Sequence, residues 1–579
     1  MKRARWIGIL AVLTLLVWSS VTMIVRHGAQ ELWGHWPMIQ FLSAWFLLVF
    51  IFYWKKNPLQ DQYLAWSTAS GVLLTLGFPP FPLPFLLFIG FVPLLHILHA
   101  QEKSRSWFFY CFNAFIVWNI CATFWVANTA YAAGIFANVV NSLLMALPML
   151  AFAYTFRKLG RGVALISFVA CWISFEFLHM RWELYWPWLT LGNGLSSMHW
   201  GVQWYAYTGV FGGTAWILGT NYLLHDWWFY SVDNGRKQLI VLVVFIFLPL
   251  TISLVDYGMH TDRGESREVV AIQPNFEPHY EKFQLPTSAV VDRFVRLSEG
   301  LVTDNTDYLI FPETSFSRVN LDQIQEHELT AGVQRLLGQY PELKLVSGVG
   351  GYRILTDPDE QALPTSRALS RAGGDTLYIE GYNCAIQVES NGDTQEYYKA
   401  LFVPGAESFP FKRILFFFEP LVDKLGGTFE GYRTREKFNL FTSGEARIIP
   451  AICYESIFGE FIGHFVRKGA NAMFIMTNDG WWDNTAGHRQ HAKFGRLRAI
   501  EFRKSIARSA NMGTCCFINQ RGDISQATKY GEVGGVRGEI RLNDEITFYA
   551  RWGDFLGRIS LFFSLLLLFR AFVQRFRFT

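Results

Sequence analysis

The chain reads as two fold classes in tandem: a polytopic α-helical membrane domain, then an α/β layer domain of soluble composition, closed by one more apolar helix. Three observations point there. Long apolar stretches crowd the first 255 residues. Asp, Glu, Lys and Arg reach ordinary soluble-protein amounts only between residues 265 and 545, and in that segment short β-rich runs alternate with helical patterns. Averages over 579 residues, 51% hydrophobic and 17% charged, hide this division. The net charge of +4 matters less than where the basic residues fall.

Ten apolar stretches lie near residues 6–25, 37–54, 65–78, 82–99, 107–128, 133–155, 162–178, 203–222, 237–255 and 554–574. Most approach the ~20 residues that a spanning helix needs. The third and fourth flank Phe78-Pro79-Pro80-Phe81-Pro82, where the prolines also fit one broken helix. Charge orients the set, because inward-facing loops carry the excess of Lys and Arg. Lys2, Arg3 and Arg5 precede the first span, Lys55 and Lys56 follow the second, and Lys103 and Arg105 follow the fourth. Arg157, Lys158 and Arg161 follow the sixth, Arg236 and Lys237 the eighth, and Arg570, Arg575 and Arg577 close the chain. Every even-numbered exit is basic, so both termini are expected inside and residues 256–553 outside. A cleaved signal peptide over residues 1–25 would put the basic loops on the wrong side. The expected organisation is an extra pair of membrane helices over 1–60, a membrane domain over 61–256, an extracytoplasmic catalytic domain over 257–552, and a last span with a cytoplasmic tail over 553–579.

The seven cysteines do not suggest a disulfide framework. Cys111, Cys121 and Cys171 fall in apolar stretches, adjacent Cys515 and Cys516 would make a strained bridge, and no pair has zinc-finger spacing. No structural metal is indicated.

In the α/β segment the strand-like runs are 269–272, 308–311, 345–348, 384–388, 448–452 and 472–476. Residues 290–303 have helical spacing, and residues 491–509 form an Arg-rich run expected to be helical. Glu313, Cys453 and Asn478-Asp479 each follow a strand-like run, where loops begin and reactive groups collect.

Three motifs carry the chemistry: Phe311-Pro312-Glu313-Thr314-Ser315, Tyr397-Tyr398-Lys399 and Ile452-Cys453-Tyr454-Glu455-Ser456. A carboxylate, an ammonium and a thiol are the parts for acyl transfer through a thioester: base, oxyanion stabiliser and nucleophile. Taken singly, the cysteine is an ordinary buried thiol and the other motifs ordinary strand ends. Their order and company change that reading. In this order they resemble the nitrilase, or carbon-nitrogen hydrolase, superfamily, which implies a four-layer αββα sandwich with Glu313, Lys399 and Cys453 as its triad. With the flanking spans, Pro187-Trp188-Leu189-Thr190-Leu191-Gly192 and Thr477-Asn478-Asp479-Gly480-Trp481-Trp482, residues 65–579 are similar to the apolipoprotein N-acyltransferase family of bacterial inner membranes.

That resemblance implies further roles. Glu313 takes the Cys453 proton and later that of the attacking amine. Lys399, with the backbone N–H after Cys453, holds the oxyanion and favours the thiolate at neutral pH. Glu407 matches an additional family glutamate and orients Lys399, while Tyr454 and Glu455 follow the nucleophile as supporting residues. Asn383 and Trp481 lie in recurrent family motifs and are expected to contact substrate. The implied donor is a phospholipid and the acceptor a diacylglyceryl lipoprotein. The bilayer supplies the lipids, with no diffusible cofactor and no nucleic acid, to a monomer of the inner membrane whose catalytic domain is periplasmic.

Several segments keep two readings. Arg496, Arg498, Arg503 and Arg508, with His491, suggest phosphate or headgroup binding, but helical spacing beside Glu501 favours a solvated or salt-bridged helix. The aromatic stretch over 409–421 fits an apolar lid as well as a core segment. Trp186-Pro187-Trp188 fits an interfacial belt or the wall of a lipid entrance. The family's aromatic residue at the start of the catalytic domain has only Tyr257 as a candidate. The competing function is a membrane-bound amidase hydrolysing a small C–N substrate. A transporter or lipid-binding protein with an inactive domain fits less well, since the triad is complete.

Overall fold

The computed structural model describes residues 2–574 except 54–57, 101–103, 231–234, 283, 364, 371–375, 413–430 and 436–437. The expectations placed on Lys55, Lys56, Lys103, Arg575 and Arg577, and on most of the aromatic segment 409–421, lie outside the described residues. The chain forms two units. One comprises Met1–Met259, Thr485–Lys493 and Asp554–Thr579, and the other comprises His260–Asn484 and Phe494–Gly553.

The first unit is helical: α1 (Lys2–Gly28), α2 (Trp36–Leu48), α3 (Pro58–Gly77), α4 (Val92–Ala100), α5 (Ser104–Thr123), α6 (Tyr131–Leu159), α7 (Ala164–His179), α8 (Val210–Tyr230), α9 (Gly235–Met259) and a closing helix Phe555–Gln574. Each predicted apolar stretch therefore holds helix. Among the described residues, five helices are long and apolar enough to cross a membrane: Arg5–Gly28, Tyr131–Leu159, Arg161–His179, Gly235–Met259 and Phe555–Gln574.

The fourth stretch is not one continuous span. It opens as a 3-10 turn over Pro84–Phe88 and resumes as the nine-residue α4. Prolines remove donors here, and the freed backbone groups find a side chain instead. Asn221 on α8 donates to the Leu87 carbonyl at 2.8 Å and accepts from the Phe91 N–H at 2.7 Å.

The extra N-terminal pair is tied in by polar groups. Trp45 Nε1 on α2 donates to Asn113 on α5 at 3.0 Å, and Asn113 donates to Ser67 on α3 at 2.8 Å. A second network explains the Pro-Trp-Leu-Thr-Leu-Gly motif. The buried Glu176 of α7 accepts from Trp172 at 2.9 Å, from the Leu191 N–H at 2.8 Å and from the Thr214 hydroxyl at 2.8 Å. Gly192 is obligatory because a Cβ there would meet the Val210 carbonyl oxygen at 1.9 Å. Trp188 is buried, which removes it from an interfacial belt. Its Nε1 donates to Gln490 at 2.7 Å, and its ring lies 4.6 Å from that of Trp125.

The second unit contains thirteen strands: β1 (Glu265–Gln273), β2 (Thr306–Asn320), β3 (Lys344–Ile354), β4 (Ser366–Ser370), β5 (Thr376–Val388), β6 (Thr394–Tyr398), β7 (Phe441–Ser443), β8 (Ala446–Ile452), β9 (Ala472–Thr477), β10 (Ser505–Ala510), β11 (Cys516–Ile518), β12 (Ile524–Ser525) and β13 (Gly534–Leu542). One sheet runs β13-β1-β2-β3-β5-β4 with β6 beside β5; the other runs β12-β11-β10-β9-β8-β7. Alternation along each strand builds the layers. On β2, Tyr308 and Ile310 join a core shared with Ile448, Ile452 and Ile475 of the other sheet. Leu309 and Phe311 point the other way, onto α10 (Thr287–Glu299) and α11 (Glu328–Gln339). Ile462 and Phe465 of α12 (Gly459–Arg467), with Ala499 and Phe502 of α13 (Ala486–Phe502), cover the second sheet. The order is αββα, as the resemblance implies.

All six predicted strand runs fall within strands. The 491–509 run does not stay helical. α13 ends at Phe502, Arg503 turns the chain at φ 50°, and residues 505–510 form β10, wholly buried between β9 and β11. A strand buried on both faces lacks the polar alternation that marks a half-exposed one. Its arginines are not solvated: Arg498 pairs with Glu501 at 2.7 Å, and Arg508 with Asp479 at 2.6 Å, all four buried.

One irregularity bears directly on function. Pairing of β2 with β3 shifts register between Phe311 and Phe316, whose partners are Ser347 and Val349. Residues 312–315 thus bulge against the single Gly348, and a Cβ on Gly348 would meet Glu313 Cα and the Pro312 carbonyl oxygen, each at 2.6 Å. Gly348→Ala is therefore expected to destabilise the fold by about 1–3 kcal/mol, as overpacking does, read from denaturant unfolding. Wild-type stability would contradict the close approach.

Candidate active site

Glu313, Lys399 and Cys453 arrive from different strands. Glu313 sits in the bulge of β2, and the next residue, Thr314, takes φ 47°. Lys399 is the residue after β6, and its backbone N–H donates to the Asn383 carbonyl at 2.9 Å. Cys453 follows β8 and opens a 3-10 turn over Cys453–Ile457 at φ 49°. A non-glycine residue held at positive φ at a strand end marks a position whose surroundings over-determine it. All three side chains are buried, with Lys399 only 1% exposed.

The ammonium is the hub. Lys399 Nζ lies 2.9 Å from Glu313 Oε1 and 2.8 Å from Glu407 Oε1. Asn383 Nδ2 donates to the same two oxygens, each at 2.9 Å. The other Glu407 oxygen accepts from the Val403 N–H at 2.8 Å, closing the loop after Lys399. Asn383, expected from its motif to contact substrate, is thus engaged inside the cluster, while its buried Oδ1 has no hydrogen-bond partner among the described residues.

Charge follows from this geometry. Burial alone pushes Glu313 up, but the Lys399 ammonium and its hydrogen bond outweigh it and hold the carboxyl below its ordinary range. Burial pulls Lys399 down, yet the Glu313 and Glu407 carboxylates raise it well above the usual lysine. For Cys453, burial and then the Glu313 charge push the thiol well up, against the pull of Lys399 and a hydrogen bond with Thr477. The resting nucleophile is therefore a thiol. Burial thus works against the thiolate expected from Lys399, while the same ammonium holds Glu313 ionised.

Glu455 is the support that sequence placed here without a job. Its Oε1 accepts from the Tyr397 hydroxyl and the Ala400 N–H, each at 2.7 Å, and its Oε2 from the Ile452 N–H at 2.9 Å. One carboxyl group thereby ties the residues flanking Lys399 to the residue before Cys453. Burial raises it to about 7, against the pull of those bonds. Tyr454 is buried with its ring edge-on to Phe458 at 5.2 Å. Trp481 is half-buried on the 3-10 turn Asp479–Trp482, edge-on to His279 at 5.0 Å. Asp479 also accepts from Thr477 at 2.7 Å. Tyr257 lies near the end of α9 with its ring 5.8 Å from His199.

Sequence reasoning missed Lys282, a buried lysine whose Nζ donates to the Thr314 hydroxyl at 2.9 Å and to the Glu313 carbonyl at 3.2 Å. It sits in no recognised motif; the available signal was a lone lysine 31 residues before Glu313. Among the described residues no group of three or more His, Cys, Asp and Glu side chains has metal-binding geometry.

Comparison with known proteins agrees in both units. Residues 70–223 match the family model for the apolipoprotein N-acyltransferase N-terminal domain, and residues 271–545 the carbon-nitrogen hydrolase model. Among relatives, the apolipoprotein N-acyltransferase of Chlorobaculum tepidum is 27% identical over 85% of this chain and 93% of its own. That of Geobacter metallireducens is 26% identical over 86% and 92%, and that of Thermotoga maritima 25% over 87% and 92%. Among solved structures, Nit3 of Saccharomyces cerevisiae, a member of branch 10 of the nitrilase superfamily, matches 49% of this chain and 92% of its own at 15% identity and TM-score 0.34.

The Glu455 clamp predicts a pH signature. The folded state holds its proton up to about 7, against an ordinary 4.5, so this contribution to stability is fully present below about 4.5 and lost as pH rises through about 7. Glu455→Gln, neutral at every pH, should lose that dependence. Between pH values of about 5 and 8, wild type should fall relative to the variant by up to about 3 kcal/mol in denaturant unfolding. Parallel pH dependences would contradict it.

Proposed function

Because the chain belongs to the apolipoprotein N-acyltransferase family of the carbon-nitrogen hydrolase superfamily, we propose that it transfers a fatty acyl group from a phospholipid to the α-amino group of a lipoprotein's diacylglyceryl-cysteine. One observation carries the reading. A buried carboxylate, ammonium and thiol share a chain with a membrane domain that matches the acyltransferase family over residues 70–223. A hydrolase of small soluble amides has no need of that domain.

Transfer proceeds in two halves. Glu313 takes the Cys453 proton as sulfur attacks the ester carbonyl carbon; the carbon–oxygen bond to glycerol breaks and the leaving oxygen takes the proton from Glu313. A lysophospholipid departs and a thioester remains. The α-amino nitrogen then attacks the thioester, Glu313 accepts an amine proton, and collapse breaks the carbon–sulfur bond. The proton returns to sulfur. Two of the three ammonium N–H groups of Lys399 go to Glu313 and Glu407. The third, with the backbone N–H after Cys453, serves the oxyanion of each tetrahedral intermediate. Glu407 and Asn383 orient Lys399 and Glu313, while Glu455 holds the Lys399 loop against the nucleophile's strand. Tyr454 packs against Phe458, and Trp481 against His279.

Basic residues at alternate loop ends support an inner-membrane orientation with residues 257–552 in the periplasm. The residues of α1 and α2 are an addition ahead of the matched membrane domain.

Purified protein given phospholipid and a diacylated lipopeptide should yield lysophospholipid and N-acylated peptide in equal amounts by mass spectrometry. Cys453→Ser should abolish both. Lys399→Met should slow transfer about 100- to 1,000-fold, the usual cost of losing an oxyanion donor. Free fatty acid without acylated peptide would mean hydrolysis and overturn the transferase reading.

A further inference from the structure

The cluster contains more negative charge than Lys399 alone can balance. Glu313 and Glu407 both bond to its one ammonium, and both are largely screened from water, their side chains 7% and 15% exposed. Burying two carboxylates against a single cation leaves an uncompensated charge, which costs several kcal/mol unless a partner answers it. Such a partner lies on the far side of the Glu313 turn. Lys282 is 7% exposed and follows a tight turn in which its own N–H donates to the Glu277 carbonyl at 2.8 Å. Its ammonium grips the two residues that define the turn, the Glu313 carbonyl at 3.2 Å and the Thr314 hydroxyl at 2.9 Å.

We infer, building on the proposed acyltransferase chemistry, that Lys282 is a positioning residue, the second buried cation of the cluster, which locks the Glu313–Thr314 turn and balances the Glu313–Glu407 pair. Its effect passes through Glu313. The positive φ of Thr314 is a strained conformation that needs an external tie, and the ammonium supplies one. Its charge also acts on the Glu313 carboxylate and helps keep it ionised, ready to accept a proton. Burial lowers Lys282 itself to about 8, against the pull of Glu313, so the tie is charged at neutral pH and weakens in alkali.

The surrounding charges do not duplicate this role. On its own segment, Glu277 is held by His279 and Glu281 pairs with Arg293. Across the cluster, Asp479 is matched by Arg508, and Glu455 is committed to backbone N–H groups. Among the described residues, Lys399, Cys453 and Tyr432 also sense the Glu313 charge, the last influenced as well by Glu407 and Arg367.

The test is the pH dependence of Cys453 alkylation by iodoacetamide in the full-length protein in detergent, followed by mass spectrometry of the Cys453 peptide. Reactivity requires Glu313 to be ionised so that it can take the thiol proton. Its loss in acid therefore reports the Glu313 charge. Lys282→Met should move that acid limb upward by about one to three pH units, the usual effect of removing an adjacent opposite charge. Lys282→Arg should hold it near wild type. If the Met variant does not fold, Lys282→Gln makes the same comparison. Thr314→Val should slow alkylation without moving the limb. An unmoved limb in folded Met or Gln protein would overturn the inference, as would an equal shift in Thr314→Val. Alkylation uses no lipid, so failure of the acyltransferase reading leaves this comparison intact.

Discussion

One buried ammonium shared by two carboxylates sets the terms for the catalytic unit. Lys399 is stable at that depth because Glu313 and Glu407 meet it at 2.9 and 2.8 Å, and its ammonium in turn offsets much of the cost of burying them. Removing the ammonium would leave two buried carboxylates without their shared counterpart. Much of the local architecture serves to bring these groups together. The β2 bulge over Gly348 aims Glu313 inward, the loop after β6 returns Glu407 to Lys399, and Asn383 on β5 spans both carboxylates. Glu455 then fixes this assembly to the strand that ends at Cys453. In the proposed chemistry, a protonated thiol near an anionic carboxylate is a nucleophile that activates only when its proton has somewhere to go.

The membrane unit faces a related constraint, since apolar surroundings offer no water to satisfy broken backbone. Its answers are side chains placed where helices end or break. Asn221 serves the interrupted fourth stretch, Glu176 and Thr214 serve the irregular segment at Leu191 and Gly192, and Gln490 receives Trp125 and Trp188 while donating to the Pro79 carbonyl at 2.7 Å. These polar residues thus hold non-helical backbone in place.

Much of this was legible in the sequence. Glu313 and Cys453 follow apolar runs long enough to be strands, Lys399 follows two tyrosines, and their order along the chain is informative even when each motif alone is not. The runs themselves suggest sheets covered by helices, and the αββα order comes from the family resemblance. What escaped detection depends on partners distant in sequence. Arg508 looks like a helix-surface charge until Asp479, 29 residues earlier, is placed against it in β10. Asn383 stands in a recurrent motif, but that its amide nitrogen bonds both Glu313 and Glu407 shows only in the fold. Trp186-Pro187-Trp188 fits an interfacial belt or the wall of a lipid entrance, and the letters alone do not show that the Trp188 indole is buried against Gln490. Lys282 and Glu176 belong to no periodic pattern, and only contacts across the fold reveal them.

The central claim, that this charge cluster turns Cys453 into an acyl carrier, is tested most directly by intact-protein mass spectrometry after incubation with phospholipid alone. The account predicts an added mass equal to one fatty acyl group, located on Cys453, released by hydroxylamine as a thioester should be, and absent from Glu313→Gln protein. Phospholipid turnover with no acyl adduct on Cys453, or an adduct formed equally well without Glu313, would contradict it.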